Sequence, residues 1–157
     1  MLRIGHAWDT HKLVQGRKLL LGGIEFESEV GLLGHSDADV VLHAIAESLL
    51  GSLALGDLGK FYPDYQEYTR DMDSKIILKE CYQRVLEQGF KLNNIDVTIY
   101  AEKIKIAPKR EEMRTSIANI LNVDVHQISI KATTWEKMGF IGREEAIAAE
   151  CVCLVEN

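Results

Sequence analysis

The residues with the clearest chemical use are Asp9, His11 and His43. Two positions apart on an extended segment, Asp9 and His11 present a carboxylate and an imidazole on the same side of the backbone, where one ion can take both. An Asp/His/His set suits a catalytic zinc ion whose fourth position stays open to water or a substrate oxygen. The spacing leaves a second reading open, a solvated loop carboxylate beside a hydrogen-bonded histidine, because it does not say where His43 lies. Asp39, His43 and Glu47 fall at i, i+4 and i+8, so they share one stripe of an otherwise apolar helix. That stripe is either a solvated face or a ligand flanked by carboxylates that orient its ring. His35 and Ser36 precede the same helix, where free backbone N–H groups and the positive dipole end favour phosphate oxygens. Ser36 can equally be a cap.

A second equipped stretch runs from Lys131 through Thr134, Trp135 and Glu136 to Lys137, then from Gly139 to Arg143. Its hydroxyls can donate to non-bridging oxygens, its glycines admit close backbone approach, and Glu136 can share a hard divalent cation with phosphates. It looks like equipment for a diphosphate, with a capped loop carrying surface charges as the alternative.

The elements that must position these groups follow from patterning. Strands are expected over residues 2–8 and 18–26, the second bent or bulged at Gly22 and Gly23, with Asp9 and His11 on the loop between them. Good N-cap chemistry at 35–37 introduces a helix over 40–53 that carries His43. An irregular stretch to about 71, with Pro63 and several tyrosines, is long enough to be a functional loop. A capped helix then starts near Asp73 and Ser74 and ends at Gly89. A strand at 94–101, a helix at 108–121 and strands at 128–133 and 146–155 complete the chain. The alternation predicts an α/β (α+β) fold, a ferredoxin-like two-layer sandwich whose mixed sheet is covered on one face by helices, as a single domain over 1–157.

With 46% hydrophobic and 27% charged residues, the composition is that of a globular protein. A net charge of -6 argues against nucleic-acid binding, so an anionic ligand must be met by a local site. Three cysteines lack C-x-x-C spacing; Cys151 and Cys153 share a strand face with Ile147, Ala149 and Val155, as buried free thiols do in a reducing compartment. No signal-like or transit-like segment and no long apolar run is evident, so the expectation is a cytoplasmic chain without membrane contact.

Taken in order, several motifs resemble one family along nearly the whole chain: 2-C-methyl-D-erythritol 2,4-cyclodiphosphate synthase. They are Arg3-Ile-Gly-His-Ala-Trp-Asp-Thr-His11, Gly31-Leu-Leu-Gly-His-Ser-Asp-Ala-Asp-Val40 with His43, Gly56-Asp-Leu-Gly-Lys60, Asp96-Val-Thr-Ile99, and Lys131-Ala-Thr-Thr134 through Gly142-Arg143. The resemblance implies intramolecular phosphoryl transfer: the substrate's 2-phosphate attacks the β-phosphate of its own cytidine diphosphate arm and expels CMP. Such a reaction asks for positioning and charge neutralisation and needs no activated Ser or Cys.

By the same resemblance Asp9, His11 and His43 hold zinc, and Glu136 holds magnesium or manganese. His35 and Thr134 stabilise the transition state, and Ser36 assists at the attacking phosphate. Asp57, Gly59 and Asp64 hold the methylerythritol portion, and Thr10, Leu58, Tyr62, Pro63, Tyr65 and Gln66 are further substrate contacts. Ala101, Glu102, Lys103, Ile104, Lys105, Ile106 and Ala107, with Ala132 and Thr133, form the cytosine and ribose pocket, largely through backbone; Trp135, Phe140 and Arg143 complete the substrate contacts. A homotrimer with sites between subunits is implied, with Arg143 and Glu150 at a central cavity that could take an isoprenoid diphosphate. The chain departs from the family pattern at Ile104-Lys-Ile-Ala107, at Tyr65 and Trp135 where threonine is common, and at Ala7, Trp8 and Ala146. The same ligands could also serve a zinc-dependent hydrolase of nucleotide diphosphates, or a trimeric sensor without turnover; product identity separates the three.

Overall fold

The first strand, β1 (Leu2–Gln15), is longer than its apolar pattern predicts. A computed structural model describes residues 1–157, and in it β1 pairs antiparallel with the last strand, β7 (Ala146–Glu156), from Leu2↔Glu156 to Lys12↔Ala146. Asp9 and His11 therefore lie on a strand and not on the expected loop. Their backbone partners come from the far end of the chain, which no local pattern reveals. A short strand missed by sequence reading, β4 (Val30–Leu32), continues the pairing at Leu13–Gln15.

Residues 18–26 form a separate hairpin, β2 (Leu19–Leu21) and β3 (Ile24–Phe26). Gly22 and Gly23 are its two-residue turn, with φ of 65° and 78°, so they reverse the chain where a bulge or bend was expected. Helix α1 (Val40–Ser52) starts at Asp39, whose carboxylate accepts the Leu42 N–H and also the Gly22 and Gly23 N–H groups. One buried side chain thus ties the hairpin turn to the helix start.

Helix α2 (Leu58–Phe61) and a 3-10 turn at Glu67–Thr69 occupy the stretch expected to be irregular. Helix α3 (Ser74–Glu87), strand β5 (Lys91–Tyr100), helix α4 (Arg110–Leu121), strand β6 (Ile128–Thr133) and a single turn, α5 (Gly139–Gly142), follow. The main sheet has the order β4-β1-β7-β5-β6, antiparallel except for the β5–β6 pair, which is the expected mixed sheet. Helix α1 lies across β1 and β7, α3 packs along α1, and α4 covers β6.

Ile147, Ala149, Cys151, Cys153 and Val155 alternate into this core, and all three thiols are free and buried, as the strand period predicts. The opposite face of the sheet leaves Leu2 63%, Ile4 71% and Val152 43% exposed. No helix is long and apolar enough to cross a membrane.

Candidate active site

Because side chains on β1 alternate, Asp9 and His11 both face the helical layer, where α1 brings His43 to them. Three atoms converge: Asp9 Oδ2, His11 Nε2 and His43 Nδ1, separated by 3.0, 3.2 and 3.4 Å. Ligands about 2.0–2.1 Å from a tetrahedral ion stand roughly 3.3 Å apart, so these three form one face of a tetrahedron sized for a small divalent cation. The remaining polar atoms of the pair on β1 are already committed. Asp9 Oδ1 accepts the Thr10 N–H, and His11 Nδ1 lies 2.8 Å from the Leu33 carbonyl, which can only accept. Neutral His11 thus keeps its proton on Nδ1 and turns the Nε2 lone pair to the site, the outer-shell arrangement a metal-ligating histidine needs.

When the two rings are protonated on the nitrogens that face Asp9, they donate to its carboxylate instead. Burial works to raise the Asp9 pKa, but hydrogen bonds and charge from His11 and His43 outweigh it and hold the carboxyl well below the usual range. Burial opposes charge on His11, yet the Asp9 carboxylate and the Leu33 carbonyl move its pKa above the ordinary histidine value.

Asp9 and His43 border a cavity of about 250 Å³ that His35, Ser36, Leu58 and Tyr62 also line. Of the expected substrate contacts in this stretch, Asp57 caps α2 by accepting the Lys60 N–H, and Tyr65 points outward, 80% exposed. The His35 ring lies 3.2 Å from the Gln66 carbonyl, fastening the 62–71 segment to the cavity rim. The Asp39, His43, Glu47 stripe is neither a solvated face nor a set of carboxylates on His43. Asp39 is the buried cap, and Glu47 lines the cavity and accepts the Leu58 N–H. Ser36 and Ser74 are the groups that meet the outer nitrogen of His43. Ser36 is not the helix cap; its hydroxyl accepts the Ala38 N–H.

The second set lines a different cavity, about 260 Å³, formed by Ala101, Glu102, Ile104 to Ala107 and Ala132 to Thr134. Thr134 and Glu136 sit on the turn beyond β6, where Glu136 and Lys137 adopt positive φ of 51° and 63°. The Glu102 carboxylate spans this turn, accepting the Trp135 and Lys137 N–H groups, both at 3.1 Å. Trp135 stacks edge-on between Tyr100 and Phe140. Arg143 and Glu150 are not brought together: Arg143 pairs with Glu145, while Glu150 accepts from Tyr100 and meets His6 on the outer sheet face. A larger cavity, about 660 Å³, opens beside Leu13, Phe26 and Lys109; Ala101 to Lys105 of the expected cytidine pocket also line it, and none of the metal-site residues does.

Sequence reading missed Ser74, Asp37, Arg17 and the side-chain role of Glu102. Arg17 donates to the carbonyl oxygens of Gly34 and Ser36, bracketing His35 from behind. Only the short polar run at 35–37 hinted at any of this.

Fold and site together define an α/β protein in which Asp9, His11 and His43 could hold a divalent cation beside a small cavity. The YgbB family model matches residues 2–156, and the chain belongs to that family. A protein of Geobacillus sp. (strain WCH70), 2-C-methyl-D-erythritol 2,4-cyclodiphosphate synthase, is 51% identical over 157 residues, covering 100% of this chain and 99% of its own length. Among solved structures, the bifunctional IspDF of Campylobacter jejuni matches 99% of this chain with a TM-score of 0.95 and 37% identity. This chain spans 42% of that longer protein. IspF of Plasmodium falciparum in complex with CDP matches with a TM-score of 0.86 and 32% identity, over 98% of this chain and 95% of its own.

Proposed function

We propose that this chain converts 4-diphosphocytidyl-2-C-methyl-D-erythritol 2-phosphate to 2-C-methyl-D-erythritol 2,4-cyclodiphosphate and CMP, as a phosphorus-oxygen lyase of non-mevalonate isoprenoid precursor synthesis. An oxygen of the 2-phosphate bonds to the β-phosphorus of the same molecule. The bond from that phosphorus to the oxygen bridging the α-phosphate breaks, CMP leaves with the bridging oxygen, and no water enters the product. The carrying observation is the convergence of Asp9 Oδ2, His11 Nε2 and His43 Nδ1 beside a cavity that Asp9, His43, His35 and Ser36 line.

Asp9, His11 and His43 would hold zinc, and Glu136 magnesium or manganese; bound there, the ions neutralise and orient diphosphate charge. Ser36 would then assist at the attacking phosphate, and His35 and the Thr134 hydroxyl would stabilise the transition state at the phosphorus under attack. Ala101 to Ala107, with Ala132 and Thr133, take the cytidine end, and Asp57, Gly59 and Asp64 the methylerythritol end.

A homotrimer with sites between subunits accounts for two further features. The two groups of site residues line separate cavities of about 250 and 260 Å³, each smaller than the roughly 300–1,000 Å³ usual for ligand pockets. The apolar outer face of the sheet, with Leu2, Ile4 and Val152, would be covered in such an assembly. Arg143 and Glu150 would then border a central cavity open to an isoprenoid diphosphate. Buried free thiols suit a reducing, cytoplasmic setting.

The test is product identity with His43→Ala as control. The zinc- and magnesium-loaded protein is expected to release CMP with cyclic product, and His43→Ala to lose both zinc and turnover while staying folded. A linear phosphate product would make the chain a hydrolase instead.

A further inference from the structure

Beside Ser36, the outer nitrogen of His43 meets a chain of groups, Ser74 and Asp37, that have no part in the proposed reaction. His43 Nε2 lies 2.8 Å from Ser74 Oγ and 3.1 Å from Ser36 Oγ, and both serines are buried. Ser74 Oγ meets Asp37 Oδ1, while Asp37 Oδ2 accepts the Ser74 backbone N–H at 3.0 Å. The Asp37 N–H donates to the Met72 carbonyl at 3.1 Å, so the segments leading into α1 and α3 are locked together at this point.

Donor and acceptor counting fixes the direction of the chain. A carboxylate can only accept, so the single hydroxyl proton of Ser74 goes to Asp37. Ser74 Oγ can then only accept from His43, which places the ring proton on Nε2. The lone pair of Nδ1 is left facing Asp9 and His11.

We infer that Ser74, backed by Asp37, is a positioning residue of the metal centre: it holds His43 in the Nε2–H tautomer with Nδ1 aimed at the ion. By taking the Nε2 proton it also leaves the Ser36 hydroxyl proton free to face the cavity. This deepens, and rests on, the reading that Asp9, His11 and His43 hold a metal. An ordinary buried serine satisfied by Asp37 would share the Asp37 contacts but would leave His43 indifferent to its removal.

Zinc titration of the stripped full-length protein against a competing chelator tests this, on the unaltered chain and on Ser74→Ala, Asp37→Asn and His43→Ala. Loss of the hydroxyl is expected to weaken zinc binding ~10–100-fold with the circular dichroism spectrum unchanged. Nitrogen-15 spectra of the imidazoles, recorded without metal, are expected to show His43 protonated at Nε2 in the unaltered protein and a mixture of tautomers in Ser74→Ala. Asp37→Asn carries the same test should Ser74→Ala not fold. No amide orientation satisfies both the Ser74 N–H on Oδ2 and the Asp39 N–H on Oδ1, so the direction of the chain is no longer enforced. Zinc affinity within about 2-fold of the unaltered protein in Ser74→Ala, alongside loss in His43→Ala, overturns the positioning role alone. Retention of zinc by His43→Ala as well would overturn the metal centre itself.

Discussion

Helix α1 can carry His43 to β1 only because β1 has no side chain at Gly5. A Cβ added there would stand 1.8 Å from the Ser48 carbonyl oxygen and 2.9 Å from Cys153 Sγ, whereas real Cβ atoms essentially never come under 3.0 Å. The nearest obstacle is backbone, so no rotamer change relieves the clash. In Gly5→Ala the gap must open from 1.8 Å to at least 3.0 Å by moving the helix or the strand. Overpacking of a well-filled core costs roughly 1–3 kcal/mol, and a clash between two backbones belongs at the top of that range, about 3 kcal/mol. Ser48 and His43 share α1, so the shift reaches a ligand that has to be held within roughly 0.5 Å for a preorganised site. Urea unfolding of the metal-free protein reads the first effect, and zinc titration reads the second. A stability loss below about 1 kcal/mol with unchanged zinc affinity would refute the account of how the helix seats its ligand.

Glu102→Ala frees the two N–H groups that hold the Glu136 turn. The magnesium concentration for half-maximal activity is expected to rise ~10-fold with zinc retained, and Glu102→Gln, with one acceptor oxygen, to fall between. An unchanged magnesium requirement would show that the turn holds itself. Burial pushes the Cys81 thiol up to about 12 and raises Cys151 and Cys153 as well. The native protein is therefore expected to resist a thiol-specific disulfide reagent at neutral pH, with all three cysteines reacting only after denaturation. The same shifts fix a sign: stability from the neutral buried thiols is complete below their ordinary value of 9.0 and is lost as pH rises towards 12. The urea midpoint should fall across that window, and a flat profile would contradict it.

How much of this was legible depended on whether the signal was local. The two-residue step from Asp9 to His11 is a strand period, and it correctly put both groups on one side of the backbone. That the strand continues through them was not readable, because β7, which pairs with it, lies at the other end of the chain. The apolar run of α1 was visible, but the Asp39 and Glu47 stripe suggested partners for His43 that turned out to be a cap and a cavity wall. The relevant hydroxyl, Ser74, begins the next helix, where the sequence marks it only as capping chemistry. Gly22-Gly23 between two short apolar runs is a recognised hairpin signal, and reading it as a bulge hid the turn that Asp39 grips. Glu102 escaped notice as a side chain because its partners are backbone N–H groups across the sheet end, which leave no mark on residue type.

The most direct test of the central claim is phosphorus NMR of the reaction of 4-diphosphocytidyl-2-C-methyl-D-erythritol 2-phosphate with the zinc- and magnesium-loaded protein. The account predicts two mutually coupled diphosphate resonances of the ring product together with one equivalent of CMP, both abolished by a chelator. A product that keeps a free 2-phosphate, or substrate that persists unchanged, would contradict it.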